Sequence, residues 1–364
     1  MVKAAVLYEP RTPLVIEDLE LDDPKAWEVL VKVGAAGICR SDRHFMHGDA
    51  PIALPVVLGH EGAGTVEKVG PGVTSVRPGQ QVILSFVPAC GRCKSCITGK
   101  SHLCDNHAAT GPFMYDGTTR LHKGDLRIHH MGKTACFAEY AVVPETGCVP
   151  ISTPIGMDKA ALIGCCVPTG VGAVTESAHV TPGSTVAVIG CGGVGLNVIM
   201  GAALVNASKI IAVDIRESQL EFALKFGATH TVNASDTDPV AQVRALTGGK
   251  GADFTFEVFG SADTVKAAYD MAGKSGVVTI VGIAPVGSEA AINAVDMVRN
   301  EKTMRGTYYG STHSSVEMPK LVDMYLAGKL NLDDLVVRQY SLDQINEAYA
   351  DMDKGEVGRG VIVY

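Results

Sequence analysis

The chain has 364 residues, of which 46% are hydrophobic and 19% charged, and it contains 41 glycines. One hydrophobic core seldom organises so long a chain, so we expect two domains, and the composition excludes a disordered or fibrous protein. The formal net charge of −8, without a block of lysines or arginines, argues against a nucleic acid or an anionic membrane as the main partner. A small-molecule ligand is favoured.

The N-terminal sequence carries charges and prolines before any long apolar run, which is not the pattern of a signal peptide. No apolar run approaches the roughly 20 residues that cross a bilayer. We therefore expect a cytoplasmic protein without a membrane partner. In that compartment thiols stay reduced, so grouped cysteines indicate a metal site or catalysis more often than disulfides.

The first half of the chain is predicted to form a compact β-rich domain. Its short alternating runs are broken by turn sequences such as Gly70-Pro71-Gly72 and Pro78-Gly79, a pattern typical of strands and tight turns. The strands are predicted over 29–33, 64–69, 81–84 and 138–143.

From about residue 167 apolar strands alternate with helices, which indicates a parallel, doubly wound sheet. After Gly310 the pattern changes again, to a helix, a polar strand and a helix ending at Lys354-Gly355. The strands are predicted over 184–190, 209–214, 254–260 and 276–283, and the helices over 192–207, 218–228 and 318–330.

A glycine-rich turn lies between the predicted strand 184–190 and the helix that follows it. It matches the dinucleotide-binding pattern G-x-G-x-x-G. The first glycine would permit the tight turn, the second would let the backbone approach a pyrophosphate, and the last would let the helix pack closely on the strand. The phosphates would sit at a helix N-terminus, where unpaired N–H groups favour negative charge. The residues are Gly190, Cys191, Gly192, Gly193, Val194 and Gly195.

The next predicted strand ends in Asp214, at a suitable distance for its carboxylate to accept the adenosine ribose hydroxyls. A carboxylate repels a 2′-phosphate, so the sequence favours NAD over NADP. Arg216 keeps NADP open, because a nearby arginine can accommodate that phosphate.

A group of four cysteines lies within the run CGRCKSCITGKSHLC. Successive C-x-x-C steps let a turn fold several sulfurs around one tetrahedral zinc, and four protein ligands leave no open position, so such a zinc would be structural. An iron–sulfur cluster or a thiol redox switch is the alternative, since ferredoxins use similar spacings. His102 lies inside the run and is interpreted as a surface histidine. The four cysteines are Cys90, Cys93, Cys96 and Cys104.

A second set of possible metal ligands is scattered along the first half of the chain: Cys39, the pair His60-Glu61, and the pair Cys165-Cys166. Two thiolates and one imidazole form the ligand set of a catalytic zinc, which keeps a fourth position open for water or substrate. Spacing alone leaves open which of the two adjacent cysteines is the ligand. An open zinc beside a nicotinamide site would polarise an alcohol oxygen while hydride passes to NAD.

Five separated motifs together resemble those of the zinc-dependent medium-chain alcohol dehydrogenases, and the similarity covers nearly the whole chain. It is closest to the branch that contains the liver-type and the glutathione-dependent formaldehyde-oxidising enzymes. The motifs are CRSD at 39–42, GHEGAG at 59–64, the four-cysteine run, DGTTRL at 116–121 and GCGGVG at 190–195.

The resemblance implies that Cys39, His60 and Cys165 bind the catalytic zinc. Glu61 would lie close behind the metal, and Asp42 would be the partner that fixes the tautomer of His60 and raises its basicity. The four grouped cysteines would bind the structural zinc, which gives two zinc ions per chain.

The resemblance also implies a proton relay and a set of cofactor contacts. Ser41 would receive the alcohol proton, and His44 would be the surface end of the relay, reached through the cofactor ribose. Arg40 and Arg359 would contact the pyrophosphate. Thr169 and Val194 would lie beside the nicotinamide, and Asp214 would accept the ribose hydroxyls.

The family architecture is a GroES-like β-rich catalytic domain around a doubly wound Rossmann domain. It predicts a catalytic domain over 1–166, completed by 311–364, and a Rossmann NAD-binding domain over 167–310. It further implies homodimers or homotetramers joined largely through the cofactor domains.

By family position the substrate pocket contains two small residues, which suggests a bulky or long-chain primary alcohol as substrate. An alternative is a thiol-dependent formaldehyde dehydrogenase, which would need charged groups at the pocket mouth. Arg43, His47 and Arg120 are candidates for those groups, although solvated surface residues are the simpler interpretation. The pocket residues are Ala50, Phe86, Ala109 and Met131.

Two further hypotheses concern the use of the cofactor. The chain could be a non-catalytic NAD-binding redox sensor, although a binding module has no use for an open metal and a proton relay. NAD could also be held tightly enough to act as a prosthetic group.

Overall fold

The computed structural model describes residues 1–364, which form strands β1 to β18 and helices α1 to α12. The strands are β1 Val2–Leu7, β2 Val15–Leu21, β3 Glu28–Gly37, β4 Val56–Val57, β5 Gly62–Val69, β6 Gln81–Leu84, β7 Leu121–Lys123, β8 Leu126–His130, β9 Tyr140–Pro144, β10 Cys148–Pro150, β11 Thr185–Ile189, β12 Lys209–Asp214, β13 His230–Asn233, β14 Ala252–Glu257, β15 Ala272–Ile280, β16 Thr303–Gly306, β17 Val336–Tyr340 and β18 Arg359–Val363. The helices are α1 Arg40–His47, α2 Lys94–Ile97, α3 Asp105–Thr110, α4 Met157–Ile163, α5 Cys166–Gly172, α6 Gly193–Leu204, α7 Glu217–Leu224, α8 Pro239–Leu246, α9 Ala262–Met271, α10 Ala294–Arg299, α11 Ser314–Leu326 and α12 Ile345–Lys354.

The chain divides into two compact units. Unit 1 comprises Met1–Cys165, His313–Gly328 and Leu332–Tyr364, and unit 2 comprises Cys166–Thr312 and Lys329–Asn331. Each unit has its own hydrophobic core.

Unit 1 is built on two sheets. Strands β1, β2, β7, β8 and β4 close on themselves, and a larger sheet has the order β10-β6-β5-β3-β18-β17, with β9 also paired to β3. Strand β18 runs antiparallel to β3, with Val361 opposite Gly37, so the C-terminal segment completes the sheet that starts near the N-terminus. Because this pairing joins segments far apart in sequence, no local pattern specifies it.

Unit 2 contains one sheet with the order β13-β12-β11-β14-β15-β16, and every neighbouring pair is parallel. This is the strand order of a Rossmann fold. The second and third strands of the sheet lie on one side of the first strand, β11, and the last three lie on its other side. Strand β11 is nearly continuous in buried apolar residues, as expected for a strand covered on both faces. The predicted fold class, a β-rich GroES-like domain with a doubly wound parallel sheet, is confirmed.

The predicted elements exist, but several bounds differ. The helix predicted over 318–330 begins at Ser314, and Pro319 lies inside it. A helix that began at Met318 would have Pro319 in its first turn, where the missing N–H of proline costs no hydrogen bond. The observed helix begins four residues earlier, so Pro319 lies beyond the first turn. The strand predicted over 138–143 is displaced to Tyr140–Pro144, although Ala138 still bridges to Ala4.

No single helix is both long and apolar enough to cross a membrane, and only the bent pair Met157–Ile163 and Cys166–Ala178 meets those limits jointly, by length and composition.

Candidate metal centres and cofactor-binding turn

Unit 1 contains a buried cluster of four possible metal ligands: Cys39, His60, Glu61 and Cys165. One ligand atom from each lies within 4.8 Å of the others. Their exposed fractions are 7%, 2%, 0% and 7% respectively. The structure therefore brings together the scattered residues that the sequence identified as a possible catalytic zinc site.

The register of two strands places Cys39 beside His60. Strand β3 ends at Gly37, whose N–H donates to the carbonyl oxygen of Glu61 just before β5 begins. Gly59 has φ of +89°, and a Cβ atom at this position would lie 2.7 Å from the backbone nitrogen of Phe137. Only glycine fits this turn, so the GHEG sequence is required by backbone geometry as well as by its ligands.

Cys165 reaches the cluster because α4 ends against the start of β5. A Cβ atom at Gly164 would lie 3.3 Å from the backbone nitrogen of Gly62, so residue 164 must be small for this close approach. Cys166 does not belong to the cluster and lies 3.8 Å from Nδ2 of Asn197. Of the two adjacent cysteines, the geometry places Cys165 with the other ligands.

Hydrogen bonds and charges prepare the cluster to bind a cation. The hydrogen bond from Cys165, followed by the charge of His60, holds the pKa of Cys39 well below its ordinary value despite burial. Burial acts to lower the pKa of His60, but the charges of Asp42 and Cys39 outweigh it and raise that pKa well above the ordinary value. A thiolate, the form of cysteine that binds metals, is thus favoured at Cys39.

Asp42 orients His60. It lies in the first turn of α1 with no exposed surface, and its Oδ1 lies 3.1 Å from Nδ1 of His60 while accepting the N–H of Gly59 at 2.9 Å. With Nδ1 occupied by Asp42, Nε2 of His60 is left to face the other ligands. This is the carboxylate–histidine arrangement found behind metal-binding histidines.

Glu61 forms a buried ion pair with Arg359. Its Oε2 accepts from Nη2 of Arg359 at 2.6 Å, and the same nitrogen donates to the carbonyl oxygen of Ile38 at 2.7 Å. Burial raises the pKa of Glu61 to about 7, against the opposing charge of Arg359. The sequence did not anticipate this pair, since Arg359 was assigned to a pyrophosphate; that role stays a prediction.

The donor set fits a zinc ion. Two thiols and an imidazole are the soft and borderline ligands that zinc prefers, and three of them leave one tetrahedral position open. Oε1 of Glu61 is buried without a hydrogen-bond partner, as expected of a carboxylate that faces a cation.

The four grouped cysteines form a second cluster, whose sulfur atoms all lie within 4.8 Å of one another. Four sulfurs bound to one zinc at about 2.3 Å would be roughly 3.8 Å apart. The N–H groups of Cys90 and His107 point at Sγ of Cys104, at 3.3 and 3.4 Å. None of the ten cysteines forms a disulfide.

The pKa values within this lobe also fit a cation. Burial acts to raise the pKa of Cys90, but N–H donors from Arg92 and Cys93 outweigh it and lower that pKa to about 7, whereas burial and Cys93 raise the pKa of Cys96 to about 12. Four adjacent thiolates therefore need a metal to share their charge. The interpretation of His102 as a surface histidine was wrong: it lies in the helical turn before Cys104, and only 8% of it is exposed.

The glycine-rich turn of unit 2 has the geometry that its sequence requires. Gly190 has φ of +94°, and a Cβ atom at Gly195 would overlap the carbonyl oxygen of Gly190. A Cβ atom at Gly192 would meet nothing within 4 Å, so the backbone there is open to a ligand. Gly193 and Val194 form the first turn of α6, whose N-terminal N–H groups follow the turn directly.

Asp214 ends β12 beside this turn. Its Oδ2 accepts the N–H of Cys191 at 2.8 Å, and its Oδ1 accepts the N–H of Arg216 at 3.0 Å. These bonds hold the carboxylate next to the glycine-rich turn, while the exposed Arg216 precedes α7. Thr169 lies half-buried in α5 of the same unit.

Comparison with known proteins identifies the family. Residues 25–153 match the alcohol dehydrogenase GroES-like domain, and residues 193–327 match the zinc-binding dehydrogenase family. An NDMA-dependent alcohol dehydrogenase from Amycolatopsis methanolica is 40% identical over 100% of this chain and 98% of its own. The chain belongs to the zinc-dependent medium-chain alcohol dehydrogenase family. Membership makes it an oxidoreductase of the alcohol dehydrogenase type.

Solved structures of this family agree closely with the fold. Benzyl alcohol dehydrogenase from Acinetobacter calcoaceticus has a TM-score of 0.95 and 35% identity, covering 100% of this chain and 99% of that one. A structure from Sinorhizobium meliloti 1021, bound to NADP, has a TM-score of 0.81 and 27% identity with the same coverage.

The predicted relay and pocket residues all lie in unit 1. Ser41 and His44 are half-buried in α1, and Arg40 is the exposed first residue of that helix. Phe86 lies at right angles to His60, with ring centres 5.2 Å apart. Gly132 follows Met131, and a Cβ atom at Gly132 would lie 3.0 Å from Cβ of Phe86. The predicted pocket residues Phe86 and Met131 are therefore neighbours. Ala50 is half-buried after α1, and Ala109 is exposed in α3.

Arg120, in the family motif DGTTRL, is not a solvated surface residue as expected. Its side chain is fully buried and bonds both oxygens of Glu28, with Nε–Oε2 at 2.8 Å and Nη2–Oε1 at 2.5 Å. Nη2 also pairs with Asp116 at 2.9 Å. This clamp joins β3 to the segment before β7, so Arg120 cannot bind a substrate at a pocket mouth. Arg43 is likewise paired, with Asp353.

Replacing Arg120 by methionine should destabilise unit 1 by about 3–5 kcal/mol, because it leaves the buried Glu28 carboxylate without its partner. Urea unfolding measures the loss. Lys25→Met is the matched control: it removes an exposed ion pair with Asp116 and should cost less than about 1 kcal/mol. Equal effects from the two variants would contradict a stabilising role for the clamp.

Sequence patterns missed one polar residue near the metal cluster. Tyr349 lies on the buried face of α12, 3% exposed, and its hydroxyl has no hydrogen-bond partner. Helical spacing from Ile345 and Ala348 predicts its burial, but no motif connects it to a site more than three hundred residues earlier in the chain.

Proposed function

We propose that this chain is a NAD-dependent alcohol dehydrogenase that reversibly oxidises a bulky or long-chain primary alcohol, using one catalytic and one structural zinc. The observation that carries the proposal is the buried cluster of Cys39, His60 and Cys165, a three-ligand set suited to a zinc with an open position. In this scheme 1–166 with 311–364 forms the catalytic domain and 167–310 the cofactor domain.

When bound, zinc would act as a Lewis acid on the alcohol oxygen and NAD would accept a hydride from the adjacent carbon. Oγ of Ser41 takes the proton of the alcohol, and His44 passes it towards solvent. Nδ1 of His44 lies 3.3 Å from Oδ2 of Asp49, which leaves Nε2 as the atom that receives the proton. Asp42 keeps His60 oriented throughout, and Glu61 adds a buried negative charge behind the ligands.

The cofactor is assigned to the glycine-rich turn of α6. Gly190 permits the tight turn, Gly192 lets the pyrophosphate approach the backbone, and Gly195 lets the helix pack on the strand. Asp214 accepts the ribose hydroxyls. The remaining contacts are proposed for Gly193, Arg40, Arg216 and Arg359 at phosphates and for Thr169 and Val194 at the nicotinamide.

Replacing Asp214 by alanine should reduce the preference for NAD over NADP, because it removes the carboxylate that repels a 2′-phosphate while Arg216 remains. We expect kcat/KM for NAD to fall by at least about tenfold, since one charge-assisted hydrogen bond contributes about 1.5–3 kcal/mol. Kinetics with each cofactor measure the ratio, and Asp236→Ala, an exposed carboxylate outside the turn, is the control. An unchanged ratio would remove Asp214 from the ribose site.

The substrate class rests on the pocket. Phe86 beside His60 offers an aromatic wall, and the small Ala50 and Ala109 leave room for a large group. The similar enzyme from Acinetobacter calcoaceticus is a benzyl alcohol dehydrogenase, which supports aromatic primary alcohols as first candidates. Arg120 is buried and is therefore not one of the charged groups at the pocket mouth that a thiol adduct of formaldehyde would need. Placement in the liver-type branch remains a prediction.

The deciding experiment is an alcohol screen on protein of known zinc content. Benzyl and long-chain primary alcohols with NAD should give NADH, whereas formaldehyde with low-molecular-weight thiols should not. The reverse pattern would establish the thiol-dependent alternative. Zinc-loaded protein that binds NAD and oxidises no alcohol would establish the redox sensor.

A parallel assay determines how the cofactor is used. The similar enzyme from Amycolatopsis methanolica is an NDMA-dependent alcohol dehydrogenase. We therefore include NDMA in the assay of this chain. Turnover with NAD alone indicates an exchangeable cofactor. Turnover only when NDMA is added, with NAD that stays on the protein through gel filtration, indicates a tightly held prosthetic group.

The partners we propose are a small-molecule alcohol and further copies of this chain, in a cytoplasmic homodimer or homotetramer. Strand β16 is the edge of the sheet in unit 2, and the segment that precedes it in sequence carries exposed apolar side chains. Light scattering during gel filtration would test this, and a monomer would contradict it. The exposed residues are Val286 at 84%, Val295 at 60% and Val298 at 77%.

A further inference from the structure

Two buried polar atoms near the metal cluster lack hydrogen-bond partners. One is Oδ2 of Asp42, the carboxylate that orients His60, and the other is the hydroxyl of Tyr349 in α12. The exposed fraction of Asp42 is 0% and that of Tyr349 is 3%. An unpaired polar atom in such surroundings costs about 1–3 kcal/mol, so two neighbouring ones call for an explanation.

Packing places the tyrosine beside the turn that carries His60. The Tyr349 ring is 6.2 Å from the Phe137 ring, and they meet edge to face. Phe137 in turn lies against Gly59, whose N–H donates to Oδ1 of Asp42. The C-terminal helix thus brings the tyrosine close enough to the Asp42 carboxylate for the two side chains to interact.

The chemistry of the two atoms is complementary. Oδ1 of Asp42 already takes two contacts, from Gly59 and His60, so Oδ2 is the oxygen with acceptor capacity left. Burial, and then the negative charge of Asp42, raise the pKa of Tyr349 well above its ordinary value, so the phenol remains a protonated donor. An ionised carboxylate only accepts, so the pair can bond in one direction.

We infer that Tyr349 is a positioning residue of the metal centre: its hydroxyl donates to Oδ2 of Asp42 and completes a chain from Tyr349 through Asp42 to His60. The inference rests on the proposed function, because it assumes that the cluster binds the catalytic metal. Held at both oxygens, the Asp42 carboxylate cannot rotate away from Nδ1 of His60, so Nε2 stays directed at the metal.

The test is the replacement of Tyr349 by phenylalanine, which keeps the ring and its contact with Phe137. Loss of a direct outer partner of a metal ligand lowers metal affinity about 10- to 100-fold, and Tyr349 is one bond further out, so we expect release of the cluster zinc to a colorimetric chelator to accelerate about 3- to 10-fold. Zinc in the four-cysteine lobe should leave at the wild-type rate, which provides an internal control. Tyr340→Phe is the matched variant, since that hydroxyl donates to Asp351 at 3.0 Å, away from the cluster, and both release rates should stay as in wild type.

A spectroscopic reading separates positioning from general stability. With cobalt in the cluster, the visible absorption bands should shift in Tyr349→Phe and not in Tyr340→Phe, because only the first alters the orientation of His60. In an Asp42→Ala background the effect of Tyr349→Phe should largely vanish, since alanine has no polar side-chain atom for the hydroxyl to bond.

Unchanged zinc release and an unchanged cobalt spectrum in Tyr349→Phe, on a wild-type protein that oxidises alcohols, would overturn this inference alone. So would an equal effect with and without Asp42→Ala, which would mean altered packing. A wild-type chain whose cluster takes no metal and which oxidises no alcohol would overturn both the inference and the proposed function.

Discussion

Replacing Cys165 by alanine should abolish alcohol oxidation and leave one zinc per chain bound. Cys165 supplies one of only three non-carboxylate ligands in the buried cluster, and two remaining ligands hold zinc weakly. A metal that polarises the alcohol oxygen contributes several kcal/mol to the transition state, so we expect turnover to fall by at least about 10³-fold. Metal analysis and NADH formation measure the two effects.

Cys166→Ala is the matched control for this change. Cys166 is the next residue and is also buried, but its sulfur lies near Asn197 and outside the cluster. The variant should keep two zinc ions and most of the wild-type turnover, with a small loss of stability from the missing buried sulfur. Inactive Cys166→Ala with active Cys165→Ala would reassign the ligand. Normal activity in both variants would remove the cluster from the proposed mechanism.

Replacing Cys104 by serine should remove the other zinc and unfold the lobe locally. Residues of the lobe from Gly91 to Lys100 are exposed or half-buried, so they have little core of their own and depend on the metal. Loss of a bound metal is one of the single changes that can lower the free energy of unfolding by more than about 4 kcal/mol. Each kcal/mol lost lowers the Tm by about 2–4 °C, so we expect the Tm to fall by about 10 °C. Differential scanning fluorimetry and limited proteolysis between residues 90 and 104 measure this.

Ser95→Ala lies between two of the lobe cysteines and serves as the control. Its hydroxyl bonds the exposed Asp105 at 3.1 Å, and losing it should change neither zinc content nor Tm appreciably. Cys104→Ser that retains two zinc ions and resists protease would contradict a zinc lobe. Coloured wild-type protein that contains iron would establish the iron–sulfur alternative instead.

Most of the fold could be predicted because its signals are local. The β11 strand, the glycine-rich turn and Asp214 lie within thirty residues, and each requires a conformation that neighbouring residues specify. The four-cysteine lobe is similar, since its ligands fold around one point within a single loop. Helix bounds were less accurate: α11 starts at Ser314, so Pro319 lies in its second turn and not at the helix start.

The burial of charged residues could not be predicted, because it depends on partners from other segments. Arg120 and His102 both look like surface residues in sequence, yet Glu28 pairs with the first from a strand about ninety residues away. The same reason explains why the ion pair of Arg359 with Glu61 was not anticipated. A buried charge is stable only with a partner of opposite charge, and the sequence does not show which distant residue the fold will bring into contact with it.

The sequence by itself determined the family motifs, the two groups of candidate ligands and the alternation that specifies the fold class. Only the tertiary structure decided that Cys165 and not Cys166 joins Cys39 and His60, that Arg120 and Arg359 are buried in ion pairs, and that Tyr349 is buried where the charge of Asp42 acts on it. Local spacing fixes residues that share one loop or one strand, whereas convergence of distant residues depends on strand register and on the pairing of β18 with β3.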